Sequence, residues 1–234
     1  MNPTLNWRTA WPWITALSAA VCIAAGIGAI GSSWEFIFKP LTTLMIIAHA
    51  WPRGAGESRQ RRLIRLALVL SLAGDVFLLW PNQGFLPGLS AFLLAHLAYI
   101  GAFCAPVRFA ARPLVFVAYA VIAALILAQL WPGVPAALRL PVLAYVVCLA
   151  TMAAQAGAWW RSRVGTRAID AHLARAAALG GLLFMASDTL LAINKFAAPL
   201  PLGSLWILLT YWLAQWCIAG SLAAAVPRHP VTEG

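Results

Sequence analysis

Residues 59–80 read RQRRLIRLALVLSLAGDVFLLW: an arginine cluster, then an apolar run that carries one carboxylate, Asp75, and closes on Trp80. A surface helix of a soluble protein would keep a polar face at the 3.6-residue period. Here residues 64–80 are almost wholly apolar on every face, and 17 residues is the low end of what crosses a hydrocarbon core. The arginines fall at one end of the run, and Trp80 at the other suits the headgroup interface.

The same pattern recurs along the chain. Of its 234 residues, 63% are apolar and only 9% charged, with a mean hydropathy of +0.85. A soluble domain needs far more polar surface to face water. Cutting at charge, Pro and Gly clusters predicts eight spans, at 11–30, 34–51, 64–80, 85–104, 114–131, 140–160, 174–196 and 202–226, with no polar block large enough to fold separately. The expected fold is an all-α integral membrane protein, a single transmembrane domain of eight helices. The first run follows Arg8 but is too long for a signal-peptide core of about 7–15 residues, so it is read as a span.

Charge placement gives the orientation. The formal charge is +10. Arg8, Arg53, Arg59, Arg61, Arg62, Arg65, Arg108, Arg112, Arg161, Arg163, Arg167, Arg175 and Arg228 fall on one side of the predicted spans, against Arg139 and Lys195 on the other. The positive-inside rule puts the arginine-rich side, with both termini, in the cytoplasm of a bacterial-type inner (plasma) membrane. Basicity is thereby explained without nucleic acid as a partner, and no obligate protein partner is indicated. Cys22, Cys104, Cys148 and Cys217 lie inside apolar segments without metal-site spacing and read as small core residues.

Leu72-Ala-Gly-Asp-Val-Phe-Leu-Leu79 in span three resembles Met185-Ala-Ser-Asp-Thr-Leu-Leu-Ala192 in span seven, and Leu94-Ala-His96 in span four answers Leu213-Ala-Gln215 in span eight. A tandem four-plus-four repeat would have its axis along the membrane normal.

Lys39, Asp75, His96 and Asp188 lie within spans, where a central Asp or Lys costs about 3 kcal/mol on insertion scales. Direction of travel places Lys39, Asp75, Asp188, Tyr145 and Asn194 in the outer half, with His96, Tyr99 and Gln215 nearer the middle. A polar pocket is expected there. Lys39 alone could snorkel to the interface, and His96, Gln215, Asn194 and Tyr145 could serve as interhelical hydrogen-bonding groups. Asp75 and Asp188 are harder to explain structurally, being the only acidic groups within the predicted membrane core. Two carboxylates in a low-dielectric pocket tend to hold one proton between them, which provides an acid and a base together. Such a pair can hydrolyse an acid-labile bond or relay protons in a transporter. No G-x-S-x-G, H-E-x-x-H, P-loop or Gly-rich dinucleotide turn is present.

Phe38-Lys-Pro-Leu-Thr42, Gly74-Asp75, Phe92-Leu-Leu-Ala-His-Leu-Ala-Tyr99, Ser187-Asp188 and Tyr211-Trp-Leu-Ala-Gln215, in this order between about residues 34 and 222, resemble the YhhN family, which includes the membrane lysoplasmalogenases. The resemblance implies hydrolysis of the vinyl ether bond of a lysophospholipid, lysoplasmalogen, to a fatty aldehyde and glycerophospho-ethanolamine or -choline, with no metal or nucleotide cofactor. Asp75 and Asp188 would supply acid and base, Lys39 would bind the phosphate, and His96 and Tyr99 would orient the aspartates or the water. A proton-coupled transporter or lipid flippase using the same aspartates is the alternative reading, and a scaffold with a merely structural polar core is the third.

Overall fold

The computed structural model describes residues 7–54, 58–80 and 82–223. Among them regular structure is entirely helical: α1 (Trp7–Gly26), α2 (Glu35–Ala50), α3 (Arg59–Phe77), α4 (Phe85–Phe103), α5 (Pro113–Leu130), α6 (Arg139–Arg163), α7 (Ala168–Phe196) and α8 (Gly203–Gly220), with short 3-10 turns before α2 and between α5 and α6. Each expected span overlaps one of these helices, with shifted ends. The first stops at Gly26 rather than 30, and the third takes in the arginine cluster from Arg59, where the Ser58 hydroxyl accepts the Arg61 amide hydrogen as an N-cap. Residues 224–226 of the last expected span, and Arg228, lie outside the described residues.

Four segments are long and apolar enough in themselves to cross a membrane: Phe85–Phe103, Pro113–Gly133, Ala136–Arg163 and Ala168–Phe196. The chain is a membrane protein on that ground. The apolar part of α1 is shorter, α2 has 16 residues, and the first two turns of α3 hold four arginines.

Successive helices run up and down, because contacts between their ends sort into two sets. At one end Gly26 of α1 lies against Glu35 and Ser204, Phe36 packs on Trp80, and Phe85 packs on Phe196. At the other, the Gly54 amide donates to Ala223 O at 2.8 Å and Arg163 Nη2 to Pro106 O at 3.0 Å, while Arg65 lies over Trp51. Lys39, Arg139 and Lys195 belong to helices at the first end, and the arginine clusters gather at the second.

Close approach rests on small residues, as expected where lipid supplies no hydrophobic drive between helices. A Cβ on Gly181 would stand 3.0 Å from the Cα of Ala153, and one on Gly74 only 2.5 Å from the Phe92 ring. Helix α5 packs on α6 and leaves much of its surface uncovered, with Leu114 82% exposed. It makes no extensive contact with α4, and a cavity opens between them in front of α6.

Candidate active site

Helices α2 to α8 all contribute to this cavity, which holds about 1180 Å³ of free space counting its open mouth. It occupies the half of the bundle at the lysine-bearing end: α4 supplies residues only from Phe85 to Phe92, α6 from Val142 to Ala150, and α7 from Met185 to Phe196. The lining is largely Leu, Ile, Val, Ala and Phe. Into it come Lys39, Asp75, Tyr145 and Asp188 of the residues expected from sequence.

Asp75 is 1% exposed. Its Oδ2 accepts from Thr43 Oγ1 at 2.6 Å and from Tyr211 Oη at 2.8 Å. Both hydroxyls are oriented by a further donor. Trp212 Nε1–H, which can only donate, points at Thr43 Oγ1 at 3.2 Å, so the Thr43 hydrogen is directed at the carboxylate. Gln215 Nε2 donates to Tyr211 Oη at 3.3 Å, and the Gln215 carbonyl accepts from Tyr99 Oη at 2.5 Å. Every bond in this buried set runs toward Asp75.

Asp188 is more open, with its side chain 14% exposed. Its Oδ2 accepts from Tyr145 Oη at 2.5 Å, and Tyr145 Oη lies 3.0 Å from Nε2 of the fully buried His96. Since the Tyr145 hydrogen is committed to Asp188, His96 Nε2 is the donor in that bond, and Nδ1 has no hydrogen-bond partner among the described residues. His96 Nε2 is 3.7 Å from Asp188 Oδ2 itself.

Among the described residues no hydrogen bond joins Asp75 to Asp188. The two carboxylates are separately held groups on one cavity. Phe92 and Phe184 pack edge to face on each other and on Tyr211 of the Asp75 set, with centroids 5.5–6.1 Å apart, and Phe184 packs likewise on His96 of the Asp188 set. The pairing is crossed between the halves of the chain: Asp75 on α3 meets Tyr211 on α8, and Asp188 on α7 faces His96 on α4.

The remaining expected residues divide. His96, Tyr99 and Gln215 sit behind the cavity wall, His96 and Gln215 two hydrogen bonds from a carboxylate and Tyr99 three, so His96 and Tyr99, neighbours on one helix face, serve different aspartates. Asn194 lies outside the cavity: its Oδ1 accepts the Leu200 amide hydrogen at 2.8 Å and fastens the turn after α7. Thr43, Tyr211 and Trp212 were given no site role from sequence, although Tyr211 and Trp212 stand in one of the motifs quoted above, Thr43 lies one turn after Lys39 and Tyr211 one turn before Gln215, a spacing that puts each pair on one face. Lys195, counted from sequence on the outer side at the end of the seventh span, is in the last turn of α7 and lines the cavity. Among the described residues no three His, Cys, Asp or Glu side chains converge as metal ligands.

No solved structure is significantly similar to the chain. Sequence relatives are informative. The lysoplasmalogenase TMEM86A of Bos taurus is 33% identical over 177 residues, 73% of this chain and 68% of its own length. The human lysoplasmalogenase TMEM86B is 34% identical over 201 residues, 84% of this chain and 79% of its own. A lysoplasmalogenase of Mycobacterium tuberculosis is 34% identical over 166 residues, covering 68% and 59%. The YhhN family model matches residues 34–222, a stretch that contains every cavity residue and both carboxylate networks. The chain therefore belongs to the YhhN family.

Proposed function

We propose that this protein is a lysoplasmalogenase, hydrolysing the vinyl ether of a lysophospholipid by paired aspartate chemistry. The observation that carries the reading is that two carboxylates, each held by hydroxyl donors of its own network, line one largely apolar cavity. The relatives' names agree with it.

Vinyl ether hydrolysis begins with slow protonation of the carbon remote from oxygen, which leaves an oxocarbenium ion. Water attacks the carbon bearing oxygen, and the hemiacetal collapses to an aldehyde and the sn-1 hydroxyl of the glycerol. Asp75 has two hydroxyls aimed at one oxygen, and a hydrogen bond to a charged group contributes about 1.5–3 kcal/mol. It is assigned the carboxylate role, stabilising the cation and taking the proton of water. Asp188, with one donor and an opening to the cavity, is assigned the acid. In the collapse the roles reverse: protonated Asp75 gives its proton to the glycerol oxygen and Asp188 takes the hemiacetal proton, so both return to their starting states. Lys39 is assigned to the substrate phosphate.

All eight helices are proposed to cross the inner membrane of a bacterial-type cell as one domain, with the arginine end cytoplasmic and the cavity in the outer leaflet. Arginine gathered at one end supports the orientation. The crossed pairing of Asp75 and Asp188 with the fourth helix of the opposite half supports a four-plus-four repeat.

The test is direct. Purified protein incubated with lysoplasmalogens of choline and ethanolamine type is expected to release one fatty aldehyde per glycerophospho-base. Absence of aldehyde from both, with folded protein, would overturn the hydrolase and favour the proton relay of a transporter.

A further inference from the structure

We infer that Lys195 and Lys39 together form a phosphate clamp at the mouth of the cavity, making Lys195 a specificity-determining residue for phosphate-bearing lysolipids. The inference rests on the hydrolase reading for its substrate and on the geometry for its site.

Both ammonium groups belong to side chains lining the same cavity, from helices on different sides of it. Among the described residues neither makes a salt bridge. Lys195 is exposed, with Nζ 4.2 Å above the Phe85 ring, a contact that holds the chain at the cavity edge and leaves the charge without a counterion. The third basic residue at this end, Arg139, is engaged elsewhere: its Nε donates to Val134 O at 3.4 Å, and its guanidinium lies over Trp131. Two ammoniums without a salt-bridge partner among the described residues, on a largely apolar cavity, are a site for an anion.

The levels also fit. Lys39 precedes Thr43, the donor to Asp75, by four residues, which is about 6 Å along the helix, and Lys195 follows Asp188 by seven, about 10 Å on the same face. The ammoniums thus lie one to two turns nearer the membrane surface than the carboxylates. In a lysoplasmalogen the ether oxygen and the phosphorus are separated by about 6 Å, five single bonds drawn out in a zigzag. A vinyl ether between the aspartates therefore brings its phosphate to the lysines, with the hydrocarbon chain left to the apolar wall formed by residues such as Leu127, Val146 and Leu149.

A binding experiment that needs no turnover tests this. Lysophosphatidylethanolamine, an ester with the same phosphate, and monoacylglycerol of the same chain length, which lacks it, are titrated into wild-type protein and into Lys195→Met, Lys195→Arg and Lys39→Met. Loss of one charge-assisted contact should weaken the phosphate lipid about tenfold in each Met variant, leave monoacylglycerol within about twofold, and be largely restored in Lys195→Arg. Unchanged affinity for the phosphate lipid in Lys195→Met, or equal weakening for both lipids, would overturn the clamp. Aldehyde release by the wild type decides the hydrolase reading separately, so the two can fail independently.

Discussion

Replacing Asp75 by asparagine should abolish turnover while leaving the fold intact, and the hydrogen-bond pattern explains why the two effects separate. Thr43 and Tyr211 both donate to Oδ2. An asparagine with its carbonyl oxygen in that place keeps both bonds and puts its NH2 where Oδ1 was, so only the ionisable group is lost. General acid or base catalysis by one residue contributes about 10²–10⁴-fold, or roughly 3–5.5 kcal/mol of barrier. A fall of that size in kcat is expected for Asp75→Asn, and likewise for Asp188→Asn, whose one donor also falls on Oδ2. Asp75→Ala should differ in stability, because it leaves two buried hydroxyls without an acceptor at about 1–3 kcal/mol each. The assay is steady-state release of aldehyde from lysoplasmalogen, with thermal unfolding of each variant measured in the same detergent. If the two carboxylates act as a unit, the double asparagine variant should be scarcely slower than either single one. Retention of more than about a tenth of wild-type kcat by Asp75→Asn or Asp188→Asn would refute the reasoning.

Three further outcomes are expected. Thr43→Val removes the donor to Asp75 and leaves the buried Trp212 N–H without an acceptor, so it should slow turnover about tenfold and lower stability by about 1–3 kcal/mol, whereas Thr43→Ser keeps both; equal behaviour of the two variants in kinetics and unfolding would argue against the network. Gly74→Ala puts a methyl 2.5 Å from the Phe92 ring and should cost about 1–3 kcal/mol, read as a lower unfolding temperature. Single cysteines placed at Arg59 and Arg163 should be labelled by impermeant maleimide only after the cytoplasmic face is opened, and one at Asn82 in intact cells; the reverse pattern would invert the orientation.

Much of this protein was legible in one dimension, because a bilayer imposes constraints that act residue by residue. Backbone polar groups in hydrocarbon must be satisfied internally, so apolar runs become helices, and the runs bounded by Pro, Gly and arginine clusters fall on the observed helices with their ends moved by a few residues. The cost of a charge in lipid is likewise local, and it marked Asp75, Asp188, Lys39 and His96 before any contact was known. What sequence alone could not decide was who meets whom. Thr43, Tyr211 and Trp212 are ordinary residues for a membrane helix, and they become donors aimed at Asp75 only because α2 and α8 pack against α3. Asn194 looked like a site residue at the right depth, yet helix rotation turns it to the turn after α7, while Lys195, one position later, faces the cavity. The packing of Phe92, Phe184 and Tyr211, drawn from three helices, is likewise fixed only when the bundle is assembled. Depth is set by distance along one helix and is therefore written in the sequence, whereas facing is set by the rotation and packing of several helices at once, which only the tertiary structure determines.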